Sequence, residues 1–380
     1  MGVRRRAERM KIPQDEYDIE SFCQTLIDRS PDKTFEGYHY NHVKVYFYLT
    51  EEDWLTNFQE NYQIEQLGEI YKITGEYVSR GGETERPVYY AHYYDDSLLM
   101  LFTATTEEAK ENTVDLTIRR SSTIGEMPIV PQDFQKMHHM VLDQHPDIRI
   151  TSFKSRRIPD LAEADIRPDY DREIIYNGDD GRQTLQEFRE YYGVVPIRVE
   201  YRGEEIEFKI NKNGKFTLKR TNAENFTLLF DLIREIQDHV LDIQEVSQRI
   251  KFRTERRGSG NLELELADVT AGQIDFHKSF NLLMAEEFVE SAGEKNYRQF
   301  TFTDVSKEAG SLDFSATVTD EIREATFNIS ATEDSMKIVP KHDCEFPTIV
   351  QFYHLITETV DERATIDIFD SESAYAETTA

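Results

Sequence analysis

The sequence is poor in cysteine and has no long apolar segment. Its 380 residues include only two cysteines, Cys23 and Cys344, each within an apolar helical pattern. This excludes a disulfide-dense secreted scaffold and favours buried free thiols in a reducing compartment. No apolar stretch approaches the ~20 residues of a membrane-spanning helix, and no apolar run of a secretion signal follows the basic residues 4–6. We therefore expect a cytoplasmic protein with no membrane partner.

Short motifs of common enzyme chemistry are also absent from the sequence. We find no phosphate-binding loop, dinucleotide fingerprint or nucleophile elbow. His138, His139 and His145 are the candidates for a metal site, but they lack the glutamate and the spacing of known zinc motifs. We expect no metal and no cofactor, and we expect His138 at the edge of the core. A hydrolase with dispersed histidines and carboxylates stays an alternative, because catalytic groups need proximity in space only.

Charge of one sign dominates the composition. The chain has 73 acidic and 44 basic residues, a net charge of −29, and more arginine than lysine. Such a surface is typical of a salt-rich cytoplasm and predicts a halophilic source. Negative charge repels nucleic acid, but the Debye length is about 3 Å in molar salt. The composition therefore does not exclude a nucleic-acid partner in that setting.

The clearest structural pattern lies in residues 197–243. Apolar and charged residues alternate in three short segments, and the last two are separated by Asn213 and Gly214, a pair that closes hairpins. This pattern predicts a three-stranded antiparallel meander with one apolar face. An amphipathic helix follows, and its apolar stripe must lie on that face. The stripe consists of Phe226, Leu229, Phe230, Ile233, Ile236 and Val240.

A second stretch has the same spacing further along the chain. Met336 and Ile338 correspond to Phe216 and Leu218, and a second apolar stripe follows them. The sequence thus predicts an α+β fold of two or three repeated antiparallel-sheet units, each covered by a long helix. The expected regions are an N-terminal basic tail with an amphipathic helix (1–36), a first unit (37–157), a linker (158–172), a shorter second unit (173–257), a third unit (258–370) and a disordered tail (371–380).

The order strand, helix, strands, helix resembles the half-repeat of the TATA-binding-protein fold. This is a likeness of topology alone, since the sequence contains none of that family's motifs.

Two local assignments rest on apolar spacing. Residues 114–118 alternate and predict a strand, whereas Ile274 and the apolar residues 280–288 predict one long helix.

Two basic stretches stand out in this acidic chain. They allow a phosphate-contacting edge with neighbouring aromatic residues, as in nucleic-acid-binding proteins. For the second stretch a hairpin is the alternative, in which Glu263 and Glu265 form cross-strand ion pairs with the basic residues. The first stretch contains Arg149, Lys154, Arg156 and Arg157, and the second contains Arg249, Lys251, Arg253, Arg256 and Arg257.

The first third of the chain is dense in tyrosine and histidine. On neighbouring strands such residues line a ligand groove, although half-buried sheet tyrosines are the alternative interpretation. The candidate groove residues are Tyr38, His39, His42, Tyr90, His92 and Tyr94. Because sheet faces and edges suit a protein partner or self-association, we expect a non-catalytic interaction or assembly protein. A nucleic-acid-binding protein that uses stretches 149–157 and 249–257 is the first alternative, and the hydrolase is the second.

Overall fold

A computed structural model describes residues 16–28, 43–51, 53–94, 97–127, 129–157, 173–220, 223–257, 264–292, 299–308, 313–341 and 343–369. The chain forms two compact units. Unit 1 consists of Met1–Arg119 and Glu126–Asp238, and unit 2 of Arg120–Gly125 and His239–Ala380. Both units combine helices with antiparallel sheets, so the α+β fold class is confirmed.

Unit 1 is built on one large antiparallel sheet with the strand order β10-β9-β11-β12-β13-β1-β7-β6-β3-β2. The strands up to residue 220 are β1 (Val43–Thr50), β2 (Gln63–Leu67), β3 (Ile70–Thr74), β4 (Tyr77–Val78), β5 (Thr84–Glu85), β6 (Val88–Tyr94), β7 (Leu98–Thr103), β8 (Ile124–Glu126), β9 (Arg149–Arg157), β10 (Ile174–Asn177), β11 (Val194–Arg202), β12 (Glu207–Asn211) and β13 (Lys215–Arg220).

Strand β1 is at the centre of this sheet. All its residues except Lys44 are buried, because β1 pairs with β13 on one side and with β7 on the other. Strands from the first two predicted units therefore share one sheet. The region boundaries derived from the sequence stay a prediction.

The meander expected in residues 197–220 is present as β11, β12 and β13, in successive antiparallel pairs. Its second turn contains Gly214 at φ +66°. A Cβ atom there would lie 2.8 Å from the carbonyl oxygen of Met127. The Gly214 carbonyl also accepts a hydrogen bond of 3.0 Å from the amide of Phe47 in β1. Glycine is thus required both by the turn and by the close approach of the chain.

One of the described helices differs from the prediction made from the sequence. Residues 114–118 are helical, not a strand. Val114 and Ile118 are buried, while Leu116 is 42% exposed. The segment therefore follows the i, i+4 spacing of a helix and not the alternation of a strand. The helices are α1 (Ile19–Asp28), α2 (Thr56–Gln59), α3 (Glu107–Glu111), α4 (Val114–Arg120), α5 (Pro131–Gln144), α6 (Gly181–Tyr192), α7 (Ala223–Arg249), α8 (Leu282–Ala292) and α9 (Phe346–Thr359).

Unit 2 contains a sheet with the order β17-β18-β19-β20-β16-β21 and a separate two-stranded sheet, β14-β15. Ile274 lies in a strand of the larger sheet, between Met336 and Ile366. The predicted long helix is therefore wrong, and α8 begins only at Leu282. The strands are β14 (Lys251–Arg257), β15 (Leu264–Thr270), β16 (Gly272–Asp275), β17 (Phe300–Glu308), β18 (Asp313–Asp320), β19 (Ala325–Ala331), β20 (Ser335–Pro340) and β21 (Thr365–Ile368).

The local order strand, strand, helix occurs in both units. It is β12, β13 and α7 in the first case and β19, β20 and α9 in the second. The two sheets differ in strand number and order. A repeated arrangement like that of the TATA-binding-protein fold therefore stays a prediction. The expected linker 158–172 and tail 371–380 lie outside the described residues.

Candidate functional site

An apolar groove of about 790 Å³ lies in unit 1 beside helices α1 and α7. Its apolar lining residues are Ile19 and Cys23 of α1, Tyr94 of β6, and Phe226 and Phe230 of α7. Its volume falls within the range of roughly 300–1,000 Å³ that is typical of ligand pockets. The described charged residues at the groove are Glu20, Asp231 and Arg234.

Helix α1 is held against the sheet by Phe22. Its fully buried ring lies 5.3 Å from the ring of Tyr90 and 5.2 Å from that of Phe102, between centroids. Asp18 precedes the helix, and its carboxylate accepts a 2.7 Å hydrogen bond from the amide of Ser21, which satisfies one free donor of the first turn. With Phe22 turned to the sheet, Ile19 and Cys23 lie at the groove.

Helix α7 provides the opposite wall. Phe226 and Ile233 are buried, as the predicted apolar stripe requires. Phe230 is only half-buried, and its ring centroid lies 6.2 Å from that of Tyr94. Asp231 and Arg234 form an ion pair of 3.0 Å on the exposed side of the helix. The groove thus combines an aromatic interior with a charged rim.

The described tyrosine and histidine residues that were predicted to form a groove lie in different environments. Tyr90 is fully buried against Phe22, and the Nδ1 atom of His92 lies 3.3 Å from the carbonyl oxygen of Glu69. Only Tyr94 among the described members lines the groove. Tyr38, His39 and His42 lie outside the described residues.

Phe226 and Phe230 were not predicted as groove residues. Their helical spacing places both in the core stripe of α7, which is correct for the buried Phe226. Helical spacing identifies an apolar face but not which of its residues remain partly open. The excess of aromatic rings at the start of that stripe is the one signal that points to this site.

The first basic stretch lies inside the large sheet. Its strand, β9, pairs with β11 from Arg149 to Arg157 but with β10 only at residues 152–155, so Lys154 is interior to the sheet while Arg149, Arg156 and Arg157 lie beyond the β10 ladder. The Nζ atom of Lys154 lies 2.5 Å from a carboxylate oxygen of Glu173. Arg149 is exposed, Arg156 is half-buried, and Arg157 belongs to β9 by its backbone. The side chains of a strand project from the two faces of its sheet.

The second basic stretch forms the expected hairpin. Arg249 ends α7, and the following residues pair with β15 in an antiparallel register. Arg253 stands opposite Asp268, and Arg256 stands opposite Glu265. Arg257 and Lys251 stand opposite Leu264 and Thr270. Glu263, the other predicted partner, lies outside the described residues.

Lysines and carboxylates form a network on the polar face of the meander. Lys219 lies 2.5 Å from Glu200 and 3.2 Å from Glu207. Glu200 also binds Lys209 at 3.0 Å, and Glu207 accepts hydrogen bonds of 3.0 and 3.1 Å from Arg202. Burial opposes ionisation of both glutamates, but these donors lower the pKa of each. The network therefore holds charged carboxylates against the sheet.

A second charged cluster attaches α3 to the sheet. Glu107 accepts hydrogen bonds of 2.6 Å from both Lys44 and Lys215, which outweigh its burial and lower its pKa to about 2. The Nζ atom of Lys110 lies 4.1 Å from the centroid of the Tyr46 ring and pairs with Asp115. Burial raises the pKa of Tyr46, so this phenol stays protonated and does not serve as a base. The cluster is arranged for attachment of the helix.

His138 lies on α5 and contacts the sheet. Its Nδ1 atom is 2.9 Å from the hydroxyl oxygen of Tyr201, and burial lowers its pKa to about 4. In the part of the chain that the structure describes, no three His, Cys, Asp or Glu side chains are grouped to hold a metal ion. Among the described helices, none has both the length and the apolar character needed to cross a bilayer.

Comparisons with known proteins give two likenesses. Residues 144–220 match the family model AF_0896_M, described as a family middle domain; this segment includes the meander and its charged network. A protein of Archaeoglobus fulgidus, named only as uncharacterized, is 22% identical over 207 residues. That match covers 52% of this chain and 55% of the relative. The chain thus spans about half the length of the curated relative that it matches.

Proposed function

We propose that this chain is a non-catalytic interaction or assembly protein that holds a protein partner in the groove beside α1 and α7. The groove itself is the observation that supports this function. It gathers the aromatic rings of Tyr94, Phe226 and Phe230 in a concave site, with the described charges at its rim. Binding hot spots are typically aromatic residues in such sites, surrounded by a polar rim.

The shape of the groove favours an amphipathic helix as the bound segment. Most lining residues belong to two helices, α1 and α7, and the lining includes polar residues such as Gln24 and Thr227 beside the apolar ones. An amphipathic helix places its apolar side chains in a groove of this kind at positions i, i+3 or i+4, and i+7. The proposed partner therefore offers one or two large apolar side chains to Phe230 and Tyr94.

A salt-adapted cytoplasm is the proposed setting. The net charge of −29 suits a protein that stays soluble in concentrated salt. Contacts between exposed charges are weak in such salt because the Debye length is short. Burial of apolar surface is not screened, so an apolar groove keeps its affinity where a charged surface does not.

The two alternatives have less structural support. For a nucleic-acid-binding protein, Lys154 is paired with Glu173, and the register sets Arg253 opposite Asp268. These arrangements reduce the positive charge available to phosphates. For a hydrolase, His138 is neutral and hydrogen-bonded to Tyr201 within the described structure. The nucleic-acid-binding alternative remains an outcome of the experiment.

The test is affinity purification in molar KCl, with and without nuclease, followed by mass spectrometry. We expect a stoichiometric protein partner and an absorbance ratio at 260 and 280 nm that nuclease does not change. Phe230→Asp should weaken retention of that partner by about 30-fold or more, since hot-spot residues contribute at least about 2 kcal/mol.

Ile175→Asp is the matched control, because Ile175 is 61% exposed on β10 in the same unit. The control should retain the partner at the level of the unaltered chain. Equal retention by Phe230→Asp would show that the groove is not the contact site. A 260 nm excess that nuclease removes would favour the nucleic-acid-binding alternative instead.

A further inference from the structure

The hairpin of β14 and β15 is an isolated two-stranded ribbon within the described structure. Its register runs from Lys251 opposite Thr270 to Arg257 opposite Leu264. Strand β15 comes near β20, but neither ribbon strand joins the ladder of another described strand. A two-stranded hairpin is at best marginally stable in water, and an unpaired edge is a template for a further strand. Among the described strands, the ribbon therefore has one ladder, and no other strand is paired at its two outer edges.

The two strands of this ribbon have opposite charge. Strand β14 has four basic residues and one acidic residue, Glu255, whereas β15 has two acidic residues and no basic one. In the existing register Arg253 stands opposite Asp268, and Arg256 opposite Glu265. Opposite charges on facing residues stabilise a strand pair, and like charges destabilise it. The basic strand β14 therefore favours an acidic neighbouring strand, and the acidic strand β15 favours a basic one.

The apolar residues of the ribbon also favour pairing of β14 with β15. Phe252 stands opposite Val269 in the ribbon. Phe252 is half-buried and Val269 is 42% exposed, so both retain apolar surface that a third strand would cover. A second β15 next to the outer edge of β14 would set another Val269 opposite Phe252 in the same register. Pairs of this kind contribute to sheet stability together with the charged pairs.

We infer that the ribbon is a self-association site, in which the outer edge of β14 pairs with β15 of a second copy of this chain. The new ladder repeats the antiparallel register of the existing one. It sets Arg253 opposite Asp268 and Arg256 opposite Glu265 between copies. The contact joins two different edges, so the copies assemble head to tail, and they form a ring if the rotation closes or a filament if it does not.

Pairing of β14 with β14 is disfavoured by charge. In the antiparallel registers centred near the middle of the strand, Lys251 falls opposite Arg256 or Arg257, or Arg253 falls opposite one of them. The register centred on Thr254 offsets its Lys251–Arg257 pairs with Arg253–Glu255 pairs of opposite charge, and the registers shifted by one residue contain only like-charge pairs. A twofold contact between β14 edges is therefore less favourable than the head-to-tail contact. The ribbon shares no residue with the groove, and the inference does not depend on the proposed function.

A charge-swapped full-length variant tests the inference. It combines Arg253→Asp with Asp268→Arg, and Arg256→Glu with Glu265→Arg. Charge complementarity within the ribbon is kept, so the variant should fold like the unaltered chain. When each protein is measured alone by sedimentation velocity, its sedimentation coefficient should increase with concentration to the same extent. In a mixture, each protein should assemble preferentially with its own kind, because each mixed contact sets like charges opposite each other.

We expect the mixed contact to be about tenfold weaker than either homotypic contact, from two reversed pairs of cross-strand charges. The difference should narrow as KCl rises from about 0.1 M to molar concentration, since Arg253 and Asp268 are exposed and salt screens exposed charges. A half-swapped variant, Arg253→Asp with Arg256→Glu, should lose self-association. Urea denaturation of all variants checks that the chain remains folded.

Two results would overturn the inference. If fluorescently labelled wild-type and swapped chains co-assemble as well as like chains do, the contact does not involve these edges. Preferential mixed assembly would show a twofold contact between like edges instead. A wild-type chain that sediments as a monomer at its highest soluble concentration, at low and at molar KCl, would also exclude self-association through the ribbon.

Discussion

Replacement of Asp320 by asparagine is the sharpest stability test of unit 2. The Asp320 carboxylate is fully buried at the end of β18. One oxygen accepts hydrogen bonds from the amides of Ile322 and Arg323 at 3.0 and 3.1 Å. The other accepts from Gln299 at 2.9 Å and from the hydroxyl of Thr348 at 3.1 Å. The residue thus joins β18, the following turn and the first turn of α9.

Asparagine keeps one acceptor oxygen and replaces the other with an amide donor. If the oxygen faces the turn, the new NH₂ group faces the Gln299 amide and the Thr348 hydroxyl, both of which must turn to accept from it, and the ion pair of 3.6 Å with Arg323 is lost. A hydrogen bond to a charged group contributes roughly 1.5–3 kcal/mol, and an unsatisfied buried donor costs about 1–3 kcal/mol. We expect Asp320→Asn to lower the free energy of unfolding by about 2–4 kcal/mol.

Urea denaturation measures this loss, and hydrogen–deuterium exchange locates it. Exchange should increase in peptides from β18, β19 and α9 and stay unchanged in the sheet of unit 1. Glu321→Gln is the control, because the adjacent Glu321 is exposed; exposed substitutions usually change stability by less than about 0.5 kcal/mol. If Asp320→Asn costs no more than the control, the hydrogen bonds of this carboxylate do not stabilise unit 2.

Two further predictions concern titratable groups of unit 1. Glu107→Gln should cost about 1 kcal/mol at neutral pH, since its side chain is 50% exposed and solvent weakens its ion pairs. The Glu107 pKa is lowered from 4.5 to about 2, so its contribution is present above pH 4.5 and lost as the pH falls through 2; acid denaturation that is the same in the variant would contradict this. His138 should titrate in NMR spectra with a pKa of about 4, below its usual 6.5. Its neutral form then stabilises the fold above pH 6.5, and this contribution is lost between pH 6.5 and 4; a titration near 6.5 would show that His138 is open to water.

Local patterns predicted individual elements well where one periodicity was unambiguous. The meander and the helix of residues 223–249 follow from alternation and from a continuous apolar stripe. The short apolar segment at 114–118 fits a strand and a helix equally, because Val114, Leu116 and Ile118 are two apart while the first and last are four apart. Burial of Asp115 against Lys110 belongs to the helix and is a tertiary contact that no local pattern contains.

The candidate site was less accessible to sequence reasoning than the fold. Tyr94 was identified because tyrosines and histidines are concentrated on β6, yet its neighbours in the groove are Phe230 of α7 and Cys23 of α1. These residues are far apart in the sequence. Each has an ordinary place in the apolar face of its own helix. Which part of that face stays open depends on how two helices are spaced on a sheet.

By itself, the amino-acid sequence determined the strong negative charge, the scarcity of cysteine, the meander and the apolar faces of the helices. These properties depend on composition and on neighbours within one or two turns of chain. The tertiary structure alone decided that β1 joins the meander in one sheet, that β9 lies between β10 and β11, and that no other described strand pairs with the ribbon of β14 and β15. Strand order and groove shape arise from contacts between distant segments, and a periodic pattern does not specify which segments meet.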